Sequence, residues 1–190
     1  MRSVDAFAAE MIPIRLLISV AVIAAIAVLL GVGIGMLRTS LAQGQVEQQC
    51  RDLVTTLDSM VQSGAPRELG NPCAPAGTTR VQTLSLPSSL VYLSFGGDPD
   101  AADTGVLHSR VTDDGSVIVY RVDGGSKQVM WLSTGRFRFR EGSLSNATWT
   151  LQGDGRCYII DHGGRVSLEV ELVQQNHVTY LLIHGNDGIE

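Results

Sequence analysis

Three arginines at alternating positions, Arg136, Arg138 and Arg140 in the run RFRFR, are the first residues whose type and spacing suggest chemistry. Side chains along a strand alternate between faces, so the three cations would line one face and Phe137 and Phe139 the other. Such a row suits partner binding, through an acidic protein or an anionic polymer. More often such a row is a solvated face that discourages edge-to-edge pairing, and Glu169 and Glu171 could neutralise it within the same sheet. A second cluster, DPDAADTG at 98–105, gathers Asp98, Asp100 and Asp103. An EF-hand spacing would need an oxygen ligand at Ala102 and a later glutamate, so an acidic hairpin loop is expected there and no calcium site.

The chain has three cysteines, Cys50, Cys73 and Cys157. In an oxidising exterior Cys50 and Cys73 would close a loop of about 23 residues, stabilising by roughly 3 kcal/mol through chain entropy. Three buried thiols are the alternative. No two cysteines share a C-x-x-C spacing, and His108, His162, His177 and His184 form no paired motif with them, so neither a metal nor any other cofactor is expected. Serine, histidine and aspartate are present without a G-x-S-x-G elbow, an H-E-x-x-H pair, a Walker loop or a G-x-G-x-x-G turn. No catalytic residue is assigned and an enzyme is not expected. A net charge of −5, with Lys127 the only lysine, argues against nucleic acid as a partner. The sequon Asn146-Ala147-Thr148 is a glycosylation acceptor that matters only outside the cytoplasm.

The elements that must carry these residues begin with an apolar run. Between Arg15 and Arg38 no side chain is charged, and the 22 intervening residues would span roughly 33 Å as a helix, about the hydrocarbon thickness of a bilayer. A secretory signal has a shorter apolar core, although Ser40-Leu41-Ala42 before Gln43 would offer a cleavage site. From Val46 onward, Cys50, Leu53, Val54, Leu57, Met60 and Val61 fall with it inside an arc of about 120°, an amphipathic stripe. With no proline at the junction, one helix could run from about Ile14 to Gln62, stopped by Gly64 and the prolines beyond.

The remainder reads as short strands between turn signals: Val81–Leu86, Leu90–Phe95, Val106–Thr112, Ser116–Val122, Gln128–Leu132, Arg136–Arg140, Ala147–Leu151, Arg156–Asp161, Arg165–Val173 and His177–His184. In the ninth, Val166, Leu168, Val170 and Leu172 alternate with Ser167, Glu169 and Glu171, one buried face against one wet face. The tenth is apolar on both faces and should be internal.

The expected class is α+β, a long N-terminal transmembrane and amphipathic helix packed on a mainly antiparallel β domain. The divisions are a short cytoplasmic leader at 1–13, a membrane span at 14–37, an amphipathic extension at 38–63, an irregular linker at 64–80 and an extracytoplasmic β-rich domain at 81–190. The N-terminus would lie inside and the β domain outside a cell membrane crossed once, with membrane lipid as one partner.

The segment Asp5-Ala6-Phe7-Ala8-Ala9-Glu10-Met11-Ile12-Pro13-Ile14, leading into the span, the amphipathic helix and a β domain, resembles the archaeal type IV pilin-like family over about 60 residues. That resemblance implies removal of a leader by a prepilin peptidase, bundling of the apolar helices with those of other pilin-like subunits, and an outward β domain. It gives Glu10 the role of meeting a neighbouring N-terminal amine. Arg15, inside the region that would pack, suggests a minor, pseudopilin-like subunit. Alternatively, Glu10 and Arg15 mark the inner interface of a single-pass anchor that carries an extracytoplasmic binding module unrelated to filaments, with Arg15 snorkelling to the headgroups.

Overall fold

The structure is a computed structural model, describing residues 4–71, 73–110, 115–132, 137–145, 148–151 and 155–186, without the side chains of 4–13, 144–145 and 185–186. One helix, α1 (Val4–Ser63), is followed by ten strands. The helix begins ahead of Ile14, because Ala6, Ala8, Ala9 and Glu10 are strong helix formers. It ends where expected, with the Gly64 amide donating to the Met60 carbonyl at 2.7 Å. The chain divides into two compact units, 1–40 and 41–190.

Unit 41–190 combines the last turns of α1 with two sheets. The six-stranded sheet contains β1 (Arg67–Glu68), β2 (Thr79–Leu86), β6 (Arg138–Ser145), β7 (Thr148–Leu151), β9 (Gly164–Gln175) and β10 (Val178–Asn186). Its order is β1-β9-β10-β6-β7, with β2 occupying the same edge of β9 ahead of β1. The four-stranded sheet has the order β5-β4-β3-β8, from β3 (Leu90–Phe95), β4 (Val117–Val122), β5 (Gln128–Trp131) and β8 (Tyr158–Ile160). Pairing is antiparallel except for β1 with β9 and β10 with β6. This is the α+β, mainly antiparallel arrangement that the periodicities predict.

The amphipathic stripe explains the core. Val46, Cys50, Leu53, Leu57 and Met60 are at most 1% exposed and join one cluster with both sheets. The six-stranded sheet contributes Leu168, Val170, Leu172, Leu181 and Ile183, while Leu93, Phe95, Ile118 and Tyr120 come from the other. Phe139 stands edge-on to Phe95 and to Phe137, with centroids 5.5 Å apart in both pairs. A smaller cluster of Tyr92, Val117 and Val119 covers the far face of the four-stranded sheet, with Leu107 packed against it.

Several boundaries differ from expectation, each for a local reason. Among the described residues of the expected strand Val106–Thr112, residues 106–110 form no strand. Leu107 supplies apolar cover to the small cluster, and the His108 amide donates to the Pro99 carbonyl instead of a ladder. The hairpin turn between β9 and β10 sits on Asn176 and His177, both with positive φ (51° and 63°), the two-residue geometry that matches strand twist. His177 is therefore a turn residue and not the first residue of a strand. The expected linker 64–80 carries β1 and the start of β2, both fastened to β9. As anticipated from its two apolar faces, β10 is internal, between β9 and β6.

Candidate functional site

In the first unit, α1 exposes its apolar side chains all round: Leu16, Leu17, Ile23, Leu29 and Met36 are each at least 66% exposed. By length and composition this stretch can cross a membrane. Beside Gly31, Gly33 and Gly35, an added Cβ would meet nothing within 4 Å. Arg15 is exposed, its carbonyl accepting from the Ser19 hydroxyl at 2.9 Å. The side chain of Glu10 lies outside the described residues.

The described arginines of the row do not form a solvated face. Arg136 lies outside the described residues, Arg138 is half-buried and Arg140 is only 8% exposed. Arg140 donates from NH1 to the Phe139 carbonyl at 2.7 Å and lies over the Tyr180 ring, 5.6 Å from its centroid. Room for the guanidinium comes from two glycines. A Cβ on Gly115 would lie 1.9 Å from NH1, and one on Gly155 would lie 2.9 Å from Nε. Burial lowers the pKa of Arg140, with Tyr180 acting against that. Glu171 does not neutralise the row, because both its carboxylate oxygens are taken by Arg67. Arg140 is level with Leu182 of β10, and Leu182 is level with Glu171 of β9, so the two backbones lie two strand spacings apart, about 9.6 Å.

The acidic loop is closed by the chain's own cation. Lys127 Nζ donates to Asp98 Oδ2 at 2.9 Å and to the Asp100 carbonyl, and lies 2.9 Å from Asp103 Oδ1. Asp100, 2% exposed, accepts from the amides of Thr104 at 2.7 Å and Gly105 at 2.9 Å. Its pKa falls despite the opposing effect of burial, because those two amides and then Lys127 favour the charged form. No group of three or more metal-ligating side chains occurs among the described residues.

All three cysteines are free, so the Cys50–Cys73 bridge expected from loop length is not made. Cys50 sits on the buried stripe of α1 inside the core, while Cys73 is exposed in the segment between β1 and β2. Burial, and secondarily Glu47, pushes the Cys50 thiol up to about 12, and burial raises Cys157 as well. A thiol reagent applied to the folded chain is expected to modify Cys73 alone. Cys50 and Cys157 should react only after denaturation, which peptide mass spectrometry reads directly. The sequon residue Asn146 lies outside the described residues.

A site that the sequence does not announce lies on the outer face of the six-stranded sheet. Here a cavity of about 440 Å³ is lined by residues that include Arg67, Asn71, Trp149, Glu169, Glu171 and His184. Arg67 and Glu171 form a two-pronged ion pair, Nε to Oε1 at 2.6 Å and NH2 to Oε2 at 2.8 Å. Arg67 NH2 also donates to the Trp149 carbonyl at 2.6 Å. Trp149 stacks on His184 with centroids 3.6 Å apart and planes 12° from parallel. The stack leans on Gly142, where a Cβ would lie 2.4 Å from His184 Cδ2 and 3.2 Å from Trp149 Cε3. His184 is 3% exposed and neither of its ring nitrogens has a hydrogen-bond partner. Burial lowers its pKa to about 4, Arg67 adding to the effect and Glu171 opposing it.

The one sequence signal for this site is the parity of β9 and β10. Residues out of step with the core-facing Val170 and Ile183, namely Glu171 and His184, must face the other way. Comparison with known proteins adds no relative: no family model, no curated protein and no solved structure matches the chain.

Proposed function

We propose that the protein is a membrane-anchored structural protein of type IV pilin-like, minor-pilin or pseudopilin build. Its apolar N-terminal helix anchors it and assembles with like helices, and its β domain stands outside the cell. The observation that supports this reading is the change of character along α1, from apolar side chains exposed all round before residue 41 to a single buried stripe from Val46 to Met60. In water so large an exposed apolar surface is costly, and lipid or other helices would cover it. On this reading the protein has no catalytic role and no nucleic-acid partner, and the N-terminus lies on the cytoplasmic side.

The test is the N-terminal residue and intact mass of the full chain recovered from native membranes, together with cross-linking of Glu10→Ala. A start near Phe7 and loss of cross-linked oligomers in the variant are the expected results. A start at Gln43, or an intact Met1 with oligomers unaffected by Glu10→Ala, would overturn the filament reading. The second reading, a single-pass anchor for an extracytoplasmic binding module, is favoured by the cavity with its unpartnered histidine.

A further inference from the structure

We propose that the cavity on the outer face of the six-stranded sheet binds a guanidinium group, the side chain of an arginine, through the carboxylate of Glu169. The cavity, about 440 Å³, lies in the range of small-molecule sites, and its lining sets the charge of what it takes. Both oxygens of Glu171 are occupied by Arg67, at 2.6 and 2.8 Å. The His184 imidazole, buried beneath Trp149, stays neutral at pH 7 and its nitrogens are closed to a ligand. Glu169 is half-buried on the wall, with no hydrogen bond or ion pair among the described residues. A carboxylate without a counter-charge leaves the lining net negative, so a cation is attracted and an anion repelled.

The kind of cation follows from what surrounds that carboxylate. Calcium takes about six to eight oxygen ligands. No group of three or more metal-ligating side chains occurs among the described residues. An ammonium is a strongly hydrated point charge, whose water is costly to strip at a half-buried wall. A guanidinium is more weakly hydrated, and its planar fork of N–H donors meets both oxygens of a carboxylate at once. The protein makes this contact in the same cavity. Glu169 precedes Glu171 by two residues on β9, so both side chains stand on one face of the strand, their backbones about 7 Å apart. Arg67 shows how a guanidinium meets a carboxylate on that face, and Glu169 turns the same group to the same cavity. The methylene stem of an arginine also needs apolar cover, which Ala74, Ala76 and the partly exposed Trp149 indole on the wall supply. Trp149 is fixed in advance by its stack on His184 and by the bond from Arg67 to its carbonyl.

The experiment uses the full chain in a nonionic detergent, with Trp131→Phe so that Trp149 is the one remaining indole. Tryptophan emission is followed against Nα-acetylarginine amide, with free arginine, Nα-acetyllysine amide, Nα-acetylcitrulline amide and calcium chloride as comparison probes. The arginine amide is expected to give a saturable change, binding roughly tenfold or more tighter than the lysine amide and than the citrulline amide, which keeps the shape without the charge. Glu169→Gln, isosteric on a half-buried side chain, should weaken that binding roughly tenfold or more and keep the parent far-ultraviolet spectrum and melting behaviour. Added sodium chloride should weaken it in the parent. Binding of the blocked amide at least as tight as that of free arginine assigns the group to a polypeptide partner, and tighter binding of free arginine assigns it to the amino acid; either supports the site. No saturable response to either arginine form, a response undiminished in Glu169→Gln, or equal binding of the lysine, citrulline or calcium probe would overturn the proposal. None of these outcomes touches the anchor reading, because Glu169 and Trp149 lie in the β domain and that reading rests on α1.

Discussion

Replacing Arg67 by alanine is expected to destabilise the full chain by about 3–5 kcal/mol, the cost of removing one partner from a buried ion pair. The Arg67 and Glu171 side chains are only 11% and 8% exposed, so the orphaned carboxylate would meet water only through the cavity that it lines. The Trp149 carbonyl would lose its donor at the same time. Lysine should rescue only part of the loss, because an ammonium cannot reproduce the two-pronged contact with both carboxylate oxygens. The double replacement Arg67→Met with Glu171→Leu should recover most of it, since removing both charges leaves nothing unpaired. Urea unfolding of the four proteins in the same detergent checks the series. A loss below about 1 kcal/mol for Arg67→Ala would mean that the pair is effectively solvated.

The weight placed on one arginine follows from the shortness of β1. Two residues paired with Val173 and Gln174 cannot hold a segment to a sheet edge by ladder bonds alone. The ion pair, together with the Thr78 carbonyl accepting from the Leu172 amide at 2.9 Å, fastens the stretch that roofs the cavity. Loosening at Arg67 is therefore expected to open the site as well as weaken the fold, and the cavity and the stability share a cause.

How much of this was legible depends on whether a residue's partners are local or distant. The stripe from Val46 to Met60 and the alternation in β9 are local periodicities, and both elements form where the pattern places them. The transition from α1 to the strands follows Gly64 in the same way. The RFRFR run has equally clear parity, and Phe137 and Phe139 do face the core. Parity cannot say what covers the opposite face, which here includes Gly115 and Gly155 from two separate loops. Arg67 lay in a stretch read as irregular linker, and its partner is 104 residues away. His184 lies near the end of a strand whose apolar faces predict an internal position, and an internal strand with two covered faces buries its polar residue too.

That burial sets the second large expectation, a pH dependence carried by His184. With its folded-state pKa near 4 against an ordinary value of 6.5, the unfolded chain takes up a proton through pH 6.5 while the folded chain resists until about pH 4. The unfolded state therefore binds more protons across that interval, so stability is full above pH 6.5 and falls as pH drops towards 4. At about 1.4 kcal/mol per pH unit the loss approaches about 3 kcal/mol. The groups facing the imidazole from neighbouring strands are Glu169 and Glu171 on β9 and Arg67 on β1. His184→Phe keeps a ring against Trp149 and removes the titration. Its unfolding free energy should change less between pH 7 and pH 4.5 than that of the parent, by about 2–3 kcal/mol. At pH 7 the variant should be at least as stable as the parent, because two unpartnered buried nitrogens have gone. A pH dependence equal to the parent's would show that the imidazole reaches solvent and protonates near its ordinary value.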